Sequence, residues 1–186
     1  MVEMNDYSGP FDQDFSYDKL SKGAMHRMLK ASSDYIRMID GYWYLAVMKE
    51  CGNDLAFKLD SDIWEKLGAY TMELTRKILN IKGDGVDAVA KSLQASPWSL
   101  MYDIKAEMKG NNVAIISFLN CPTIKSLMKE GQGREKLICH QLEYRLMEVK
   151  AHVFNPDIIV TPLKLPPQEP GSDISCQWEL RLERSK

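Results

Sequence analysis

The stretch LMYDIKAEMKGNNVAIISFL, residues 100–119, decides the fold. From Leu100 to Met108 apolar residues alternate with polar ones, which is the period of a β-strand with one buried and one solvent-facing side. Gly110-Asn111 is a hairpin turn signal, and Val113 to Leu119 follows it as a second, more apolar strand. The stretch therefore predicts an antiparallel hairpin.

Helical periodicity fills the chain before this hairpin. A first apolar stripe indicates a long helix that ends near Cys51-Gly52, where glycine can adopt a left-handed C-cap conformation. The pattern continues from Leu55 to Leu79, as one helix or as two with a restart at Ser61, and a short helix is expected over 86–93. The first stripe consists of Leu20, Ala24, Met28, Ile36, Ile39, Trp43 and Ala46.

Two more helices and two strands follow the hairpin. Pro122 suits the first turn of a helix that runs to Gly131, and a longer helix over 134–154 is stopped by Asn155-Pro156. Alternating patterns predict strands over 158–165 and 176–182.

This order of elements predicts an α+β fold. The N-terminal helices and the central helix pair are expected to pack on one face of a small, mostly antiparallel four-stranded sheet. A single domain is expected over 17–186, after an extended arm over 1–16. An apolar pocket between the sheet and the helices is the natural place for a ligand.

Composition narrows the class of partner. Nucleic-acid binding depends on clustered Lys and Arg. The chain has 24 Lys+Arg against 26 Asp+Glu and a net charge of −2, so nucleic acid is not an expected partner. No apolar run reaches the ~20 residues that cross a bilayer, and residues 1–17 do not resemble a signal peptide. The four cysteines are therefore expected to be free thiols in a soluble, cytoplasmic protein.

The sequence lacks the commonest catalytic motifs. It contains no phosphate-binding glycine loop, dinucleotide fingerprint, Gly-x-Ser-x-Gly elbow, Cys-x-x-Cys or His-Glu-x-x-His. This excludes the enzymes that these motifs identify and leaves other enzymes open.

Cys121 is the candidate nucleophile. It precedes Pro122 at the start of a predicted helix, where unpaired N–H groups lower the pKa of a thiol and favour the thiolate. His140 and Glu143 lie on the next helix and are the candidate proton carriers.

Two alternatives apply to the cysteines. Cys121, Cys139 and Cys176 together with a histidine would form a zinc set, or all three are buried, inert thiols. No cofactor is predicted. The four-residue spacing of His140, Tyr144, Glu148 and His152 indicates one helix stripe, which either transfers protons or binds a metal, or is simply a solvated face.

A third pattern is Asp40-Gly41-Tyr42-Trp43-Tyr44 on the first long helix. An acid on a largely apolar helix is costly to bury without a partner, so Asp40 is a candidate for positioning a substrate at a pocket rim. Trp43 and Tyr44 are candidate substrate contacts. The alternative is ordinary helix packing with an exposed Asp40.

The order of these short motifs resembles a known family. Asp40-Gly41-x-Trp43, Asn120-Cys121-Pro122, Cys139 and Cys176-x-Trp178-Glu179 occur in the same order in the L-2-amino-thiazoline-4-carboxylic acid hydrolase-like family and related uncharacterised microbial cytosolic proteins. The resemblance spans roughly residues 11–183. It implies a hydrolase that opens a ring containing sulfur and nitrogen.

The resemblance also implies site residues. Asp40, Trp43, Cys121, Cys139 and Cys176 match the family's pattern, and Trp178 joins the candidate substrate contacts. Many relatives carry further cysteines in the third strand, close to a Cys-x-x-Cys, where this chain reads IVTPLK over 159–164. This departure from the family pattern argues against a metal or redox role for the cysteine set.

Three functional hypotheses remain open. The first is a hydrolase acting on the carbon–nitrogen or carbon–sulfur bonds of a small compound. The second is a non-catalytic small-molecule-binding protein, which the many methionines and aromatic residues favour. The third is an accessory subunit of a metabolic complex, in a homo-oligomer or with a protein partner, whose contacts are the N-terminal arm and the Pro-rich loop 166–171.

Overall fold

The computed structural model of the chain describes residues 3–168 and 171–183 and has an α+β fold. Its four strands are β1 (Asp103–Met108), β2 (Val113–Leu119), β3 (Ile158–Lys164) and β4 (Ile174–Leu182). The sheet order is β1-β2-β4-β3, and all neighbouring strands are antiparallel. The predicted hairpin is therefore confirmed. Part of the Pro-rich loop 166–171 lies outside the described residues.

The helices follow the predicted order. They are α1 (Lys22–Cys51), α2 (Asn53–Ile78), α3 (Val86–Ala95), α4 (Pro122–Glu130), α5 (Arg134–Leu137) and α6 (Glu143–His152). A π-helical turn, Ile138–Leu142, joins α5 to α6. Within the described chain, none of these helices is both long and apolar enough to cross a membrane.

Local chemistry sets the ends of the first two helices. The Ser21 hydroxyl accepts a hydrogen bond from the Ala24 N–H (3.2 Å) at the start of α1. Gly52, with φ of 85°, separates α1 from α2. The region after it is one helix, because the Ser61 hydroxyl donates to the Phe57 carbonyl (2.7 Å) instead of capping a new helix.

The main core lies on one face of the sheet. Ile116 of β2 pairs with Trp178 of β4, and both side chains are fully buried. Val89 of α3 and Met147 of α6 cover this face, whereas Arg181 points to the exposed side. This arrangement confirms the prediction that the helices pack on one face of the sheet.

The apolar stripe of α1 does not join this core. Only Ala24, Ser33 and Tyr44 of α1 are buried, while Ile36 and Ile39 of the predicted stripe are exposed. The reason is that α1 meets the rest of the domain through a different, more polar side of the helix. Periodicity identified an apolar stripe, but not the side of the helix that the domain covers.

Two isoleucines on the sheet provide a test of this core. Ile116→Ala should lower the free energy of unfolding by about 2–5 kcal/mol, because it leaves a cavity at a fully buried position. Ile159→Ala, on β3 at 46% exposure, should cost less than about 1 kcal/mol. Urea unfolding followed by circular dichroism measures both. Equal losses in the two variants would contradict the assigned core.

Candidate functional site

A cavity of about 490 Å³ lies among the helices. Its wall comes from α1, α2, α4, the α5–α6 helix and the segment just before β1, and none of its lining residues belongs to a strand. The expected pocket between sheet and helices is therefore displaced towards the helical layer. The ionisable Asp, Glu, Arg and Lys residues in its lining are Arg37, Asp40, Asp60, Arg134, Glu143 and Lys150.

Two aspartates from different helices meet in this cavity. Asp40 of α1 accepts a hydrogen bond from the indole N–H of Trp64 on α2, at 2.8 Å. Asp60, one turn before Trp64, lies within hydrogen-bonding reach of Asp40. Asp60 is only 4% exposed, and its Oδ1 has no hydrogen-bond partner among the described residues.

The two carboxyl groups influence each other's pKa. Burial raises the pKa of Asp60 to about 7, and the negative charge of Asp40 adds to the rise. Burial also raises the pKa of Asp40, although the hydrogen bond from Trp64 partly offsets it. Below about pH 7 Asp60 therefore keeps its proton, and Asp40 is the better site for the negative charge of the pair.

Aromatic residues form much of the cavity wall. Trp64 meets Trp98 edge to face, with ring centroids 5.0 Å apart. Tyr42, Tyr44 and Tyr102 line the cavity as well. Aromatic faces carry partial negative charge and attract cations as well as flat apolar groups.

Arg134 closes another part of the wall. Its guanidinium makes a two-pronged ion pair with Glu130, at 2.7 and 3.0 Å, and lies 4.9 Å from the centre of the Tyr44 ring. The Tyr44 hydroxyl donates to Asn53 (2.9 Å). Tyr44 is thus held in place from two sides, and Glu130 neutralises most of the Arg134 charge.

Cys121 reaches the cavity, but not as a thiolate. It is the N-cap of α4, and its backbone N–H donates to the Ser175 hydroxyl (2.8 Å). Burial raises the pKa of its thiol, and the charge of Glu143 adds to the rise, outweighing the nearby amides of Ile124 and Thr123. The expectation that the helix start lowers the pKa of Cys121 is wrong, because burial opposes the charged form.

The other two predicted cysteines lie outside the cavity lining. Cys139 is buried, and Cys176 accepts a hydrogen bond from the Trp178 indole N–H at 3.3 Å. Burial raises the pKa of Cys176 to about 12 and that of Cys139 further still. Over residues 3–168 and 171–183, no group of three or more His, Cys, Asp or Glu could hold a metal ion, so the zinc alternative has no support.

The structure separates the remaining predicted site residues. Glu143, Asp40 and Tyr44 line the cavity together with Cys121. His140 is exposed, and its Nε2 lies 2.5 Å from the Pro166 carbonyl, away from the cavity lining.

The two predicted tryptophans also lie elsewhere. Trp43 is on the exposed side of α1, at 36% exposure. Trp178 is buried in the sheet core beside Tyr144, with ring centroids 6.2 Å apart. The stripe that includes Tyr144 does not gather around a shared centre either, because His152 Nε2 contacts the Ile158 carbonyl (3.1 Å).

Sequence reasoning missed Asp60 and Trp64. A signal for them exists, because Ala56, Asp60, Trp64 and Gly68 recur every four residues and share one side of α2. A Cβ at Gly68 would lie 3.3 Å from Leu146 Cδ2, so this side of α2 packs closely on α6. An aspartate on a closely packed side of a helix is costly to bury without a partner. The argument that singled out Asp40 on α1 therefore applies to Asp60 on α2 as well.

The π-helical turn Ile138–Leu142 borders the cavity. Ile138 and Leu142 line it, and Glu143 follows directly. Turns of this kind are rare and occur frequently at functional sites. The wide turn sets the direction in which Glu143 leaves the helix.

Comparison with known proteins identifies a family. A family model described as "Family of unknown function (DUF6125)" matches residues 18–182. No curated protein and no solved structure matches the chain.

The Asp40–Asp60 pair predicts a pH-dependent stability. Between about pH 4 and pH 7 the unfolded chain has lost the Asp60 proton while the folded chain keeps it. The contribution of Asp60 to the free energy of unfolding therefore falls as pH rises through this window and levels off above it. Asp60→Asn removes this loss. The free energy of unfolding of the variant minus that of wild type should therefore increase by about 1–4 kcal/mol between pH 5 and pH 8.

Asp62→Asn is the matched control on the same helix. Asp62 is exposed, and its hydrogen bond from Lys58 lowers its pKa. Its difference from wild type should stay constant between pH 5 and pH 8. Denaturant unfolding at several pH values measures both, and a flat Asp60→Asn difference would contradict the shared proton.

Proposed function

We propose that this chain, which belongs to the family of unknown function DUF6125, binds a small cationic organic molecule in its helical cavity and hydrolyses a carbon–nitrogen or carbon–sulfur bond in it. The observation that carries the proposal is the buried Asp60 carboxyl, whose Oδ1 has no partner among the described residues and which shares the cavity with Asp40. A buried, unpartnered carboxyl oxygen is costly unless something binds it.

The lining favours a flat cation with a basic nitrogen. An amidinium or guanidinium group offers two parallel N–H donors to the Asp40–Asp60 pair. Trp64, Trp98 and Tyr102 supply aromatic faces for a small ring. The cavity volume, about 490 Å³, lies in the ~300–1,000 Å³ range of small-molecule sites.

A ligand carboxylate also has partners in this cavity. Lys150 and Arg37 line it alongside the acids. A ring with an amidine-like group and a carboxylate matches this distribution of charge. The resemblance to amino-thiazoline carboxylic acid hydrolases favours the same class of molecule.

The Asp40–Asp60 pair is suited to proton transfer. In the proposed reaction the ionised carboxylate takes a proton from water, whose oxygen bonds to the ring carbon between nitrogen and sulfur. The protonated carboxyl then gives its proton to the leaving sulfur as the carbon–sulfur bond breaks. One water is added, and the products are a urea group and a free thiol. Groups with a pKa near the working pH are best at both steps.

Cys121 has a different part in this proposal from the one predicted from sequence. Its raised pKa leaves it a neutral thiol, so water, not Cys121, is the nucleophile. Glu143 lines the same cavity and adds negative charge for the bound cation. The second candidate function is a non-catalytic binding protein, which requires the cation-binding cavity but not the hydrolysis.

Benzamidine is a probe for the binding step. Its affinity, measured by calorimetry, should rise about tenfold from pH 5.5 to pH 8, because the shared proton leaves the Asp40–Asp60 pair as the cation binds. Benzoate, its anionic analogue, should bind at least tenfold more weakly at pH 8. Asp60→Asn should abolish the pH dependence, and Asp62→Asn should keep it. Equal binding of benzamidine and benzoate would contradict the proposed cation site.

The hydrolysis step is tested with 2-amino-thiazoline-4-carboxylate, following thiol release with a colorimetric reagent. Turnover should fall at least about 100-fold in Asp60→Asn, which removes one of the two carboxylates that can take a proton from water and pass it to sulfur, and less than about tenfold in Cys121→Ala. The opposite ranking would restore Cys121 as the nucleophile. Benzamidine binding without turnover of this compound would favour the non-catalytic candidate.

A further inference from the structure

The outer side of α1 is an apolar surface on the longest helix of the chain. Its residues form two columns with seven-residue spacing, Met28, Tyr35 and Tyr42 beside Leu29, Ile36 and Trp43. Ile39 lies between the columns. Exposure of these side chains ranges from 36% at Trp43 to 67% at Ile39. We call this set the outer stripe.

Most of the outer stripe is turned away from the rest of the domain, and only Tyr42 also lines the cavity. A neighbouring side of α1 makes the contacts with α2, where Asp40 accepts from Trp64 and Tyr44 donates to Asn53. Ser33 on that side donates to the Pro97 carbonyl (2.9 Å). Every side chain of the outer stripe is at least 36% exposed in the described chain.

The spacing of the outer stripe is that of a helix packed lengthwise on another helix. Met28, Ser32, Tyr35, Ile39 and Tyr42 follow one another at intervals of four, three, four and three residues. Alternating three- and four-residue steps produce the seam of paired helices. A seam of this kind fits a straight partner helix, and α1 itself is such a helix.

We propose that two copies of this chain form a dimer in which the outer stripes of the two α1 helices pack antiparallel about a two-fold axis near Tyr35 and Ile36. In such an isologous contact each copy uses the same surface. This inference rests on α1 and does not depend on the proposed hydrolysis.

The helix dipole favours the antiparallel direction. The start of a helix carries partial positive charge and its end carries partial negative charge. Antiparallel packing places the start of each α1 (Lys22–Cys51) beside the end of its partner. Parallel packing would place like ends together, which is unfavourable.

The exposed area of the outer stripe approaches that of a standard interface when all of it is covered. A large side chain offers ~150–250 Å² when fully exposed. At the observed exposures the outer stripe presents roughly 750 Å² per copy, close to the ~800 Å² that each partner buries in a standard interface. Apolar patches of this size are uncommon on monomers unless they have a function.

The dimer would lie next to the cavity. Tyr42 belongs to the outer stripe and also lines the cavity. The partner helix therefore packs beside the cavity edge formed by α1, and burying Tyr42 restricts that edge.

Light scattering on the full chain at ~50 μM tests the association. The expected mass is about twice the 21.3 kDa of one chain. Ile39→Glu should shift the mass to that of one chain with unchanged circular dichroism. Ile63→Glu, at 50% exposure on α2, is the matched control and should remain a dimer. A wild-type monomer at this concentration, including one that instead binds lipid vesicles, would overturn the proposal, as would an Ile39→Glu dimer.

Cross-linking tests the direction, in a Cys51→Ser background that removes the exposed native thiol. Ile36→Cys should form a disulfide with its own copy near the two-fold axis. Met25→Cys alone should not, because the two sulfurs would lie ~30 Å apart along the helices. Met25→Cys combined with Ala46→Cys should cross-link. Efficient self-linking of Met25→Cys would establish parallel packing and overturn the antiparallel dimer.

Discussion

The hydrogen bond from the Trp64 indole to Asp40 is the contact on which the helical layer depends. It joins α1 to α2 beside the cavity and gives the half-buried Asp40 carboxylate a donor. With that donor in place, Asp60 sits beside Asp40 as the carboxyl that keeps the proton. Replacing the indole by an apolar ring would leave the Asp40 carboxylate with the proton of Asp60 as its donor between the helices, a costly arrangement in a low-dielectric site.

This polar contact also explains the unusual distribution of apolar residues on α1. The covered side of α1 is occupied by Ser33, Asp40, Gly41 and Tyr44. The last three line the cavity, so this side cannot form a dense apolar core. Most of the large apolar side chains of α1 lie on the opposite side. The sheet core, built on Trp178 and its neighbours, is separate from both surfaces. Stability and binding are therefore located in different layers of the fold.

The parts predictable from sequence are those that local chemistry determines. The hairpin followed from strand alternation and Gly110-Asn111, and the start of α4 followed from Pro122. The side of α1 that faces the domain could not be predicted in this way, because periodicity identifies an apolar stripe but not the element that packs against it. The Cys121 thiol was judged from its helix start, whereas burial by distant segments decides its pKa. Asp60 was missed because its importance arises from Asp40, which is distant in sequence.

The π-helical turn before Glu143 has a consequence for insertions and deletions. A regular α-helix advances about 100° per residue, and the wide turn accommodates one residue more than a regular turn would. Deleting Gln141 would let the turn relax to a regular α-helical turn and would leave the later residues of α6 facing the same way, with Leu146 on the cavity side and Met147 in the sheet core. The same deletion inside α6 would rotate every later residue by about 100°. The chain can therefore lose one residue at this turn but not within α6.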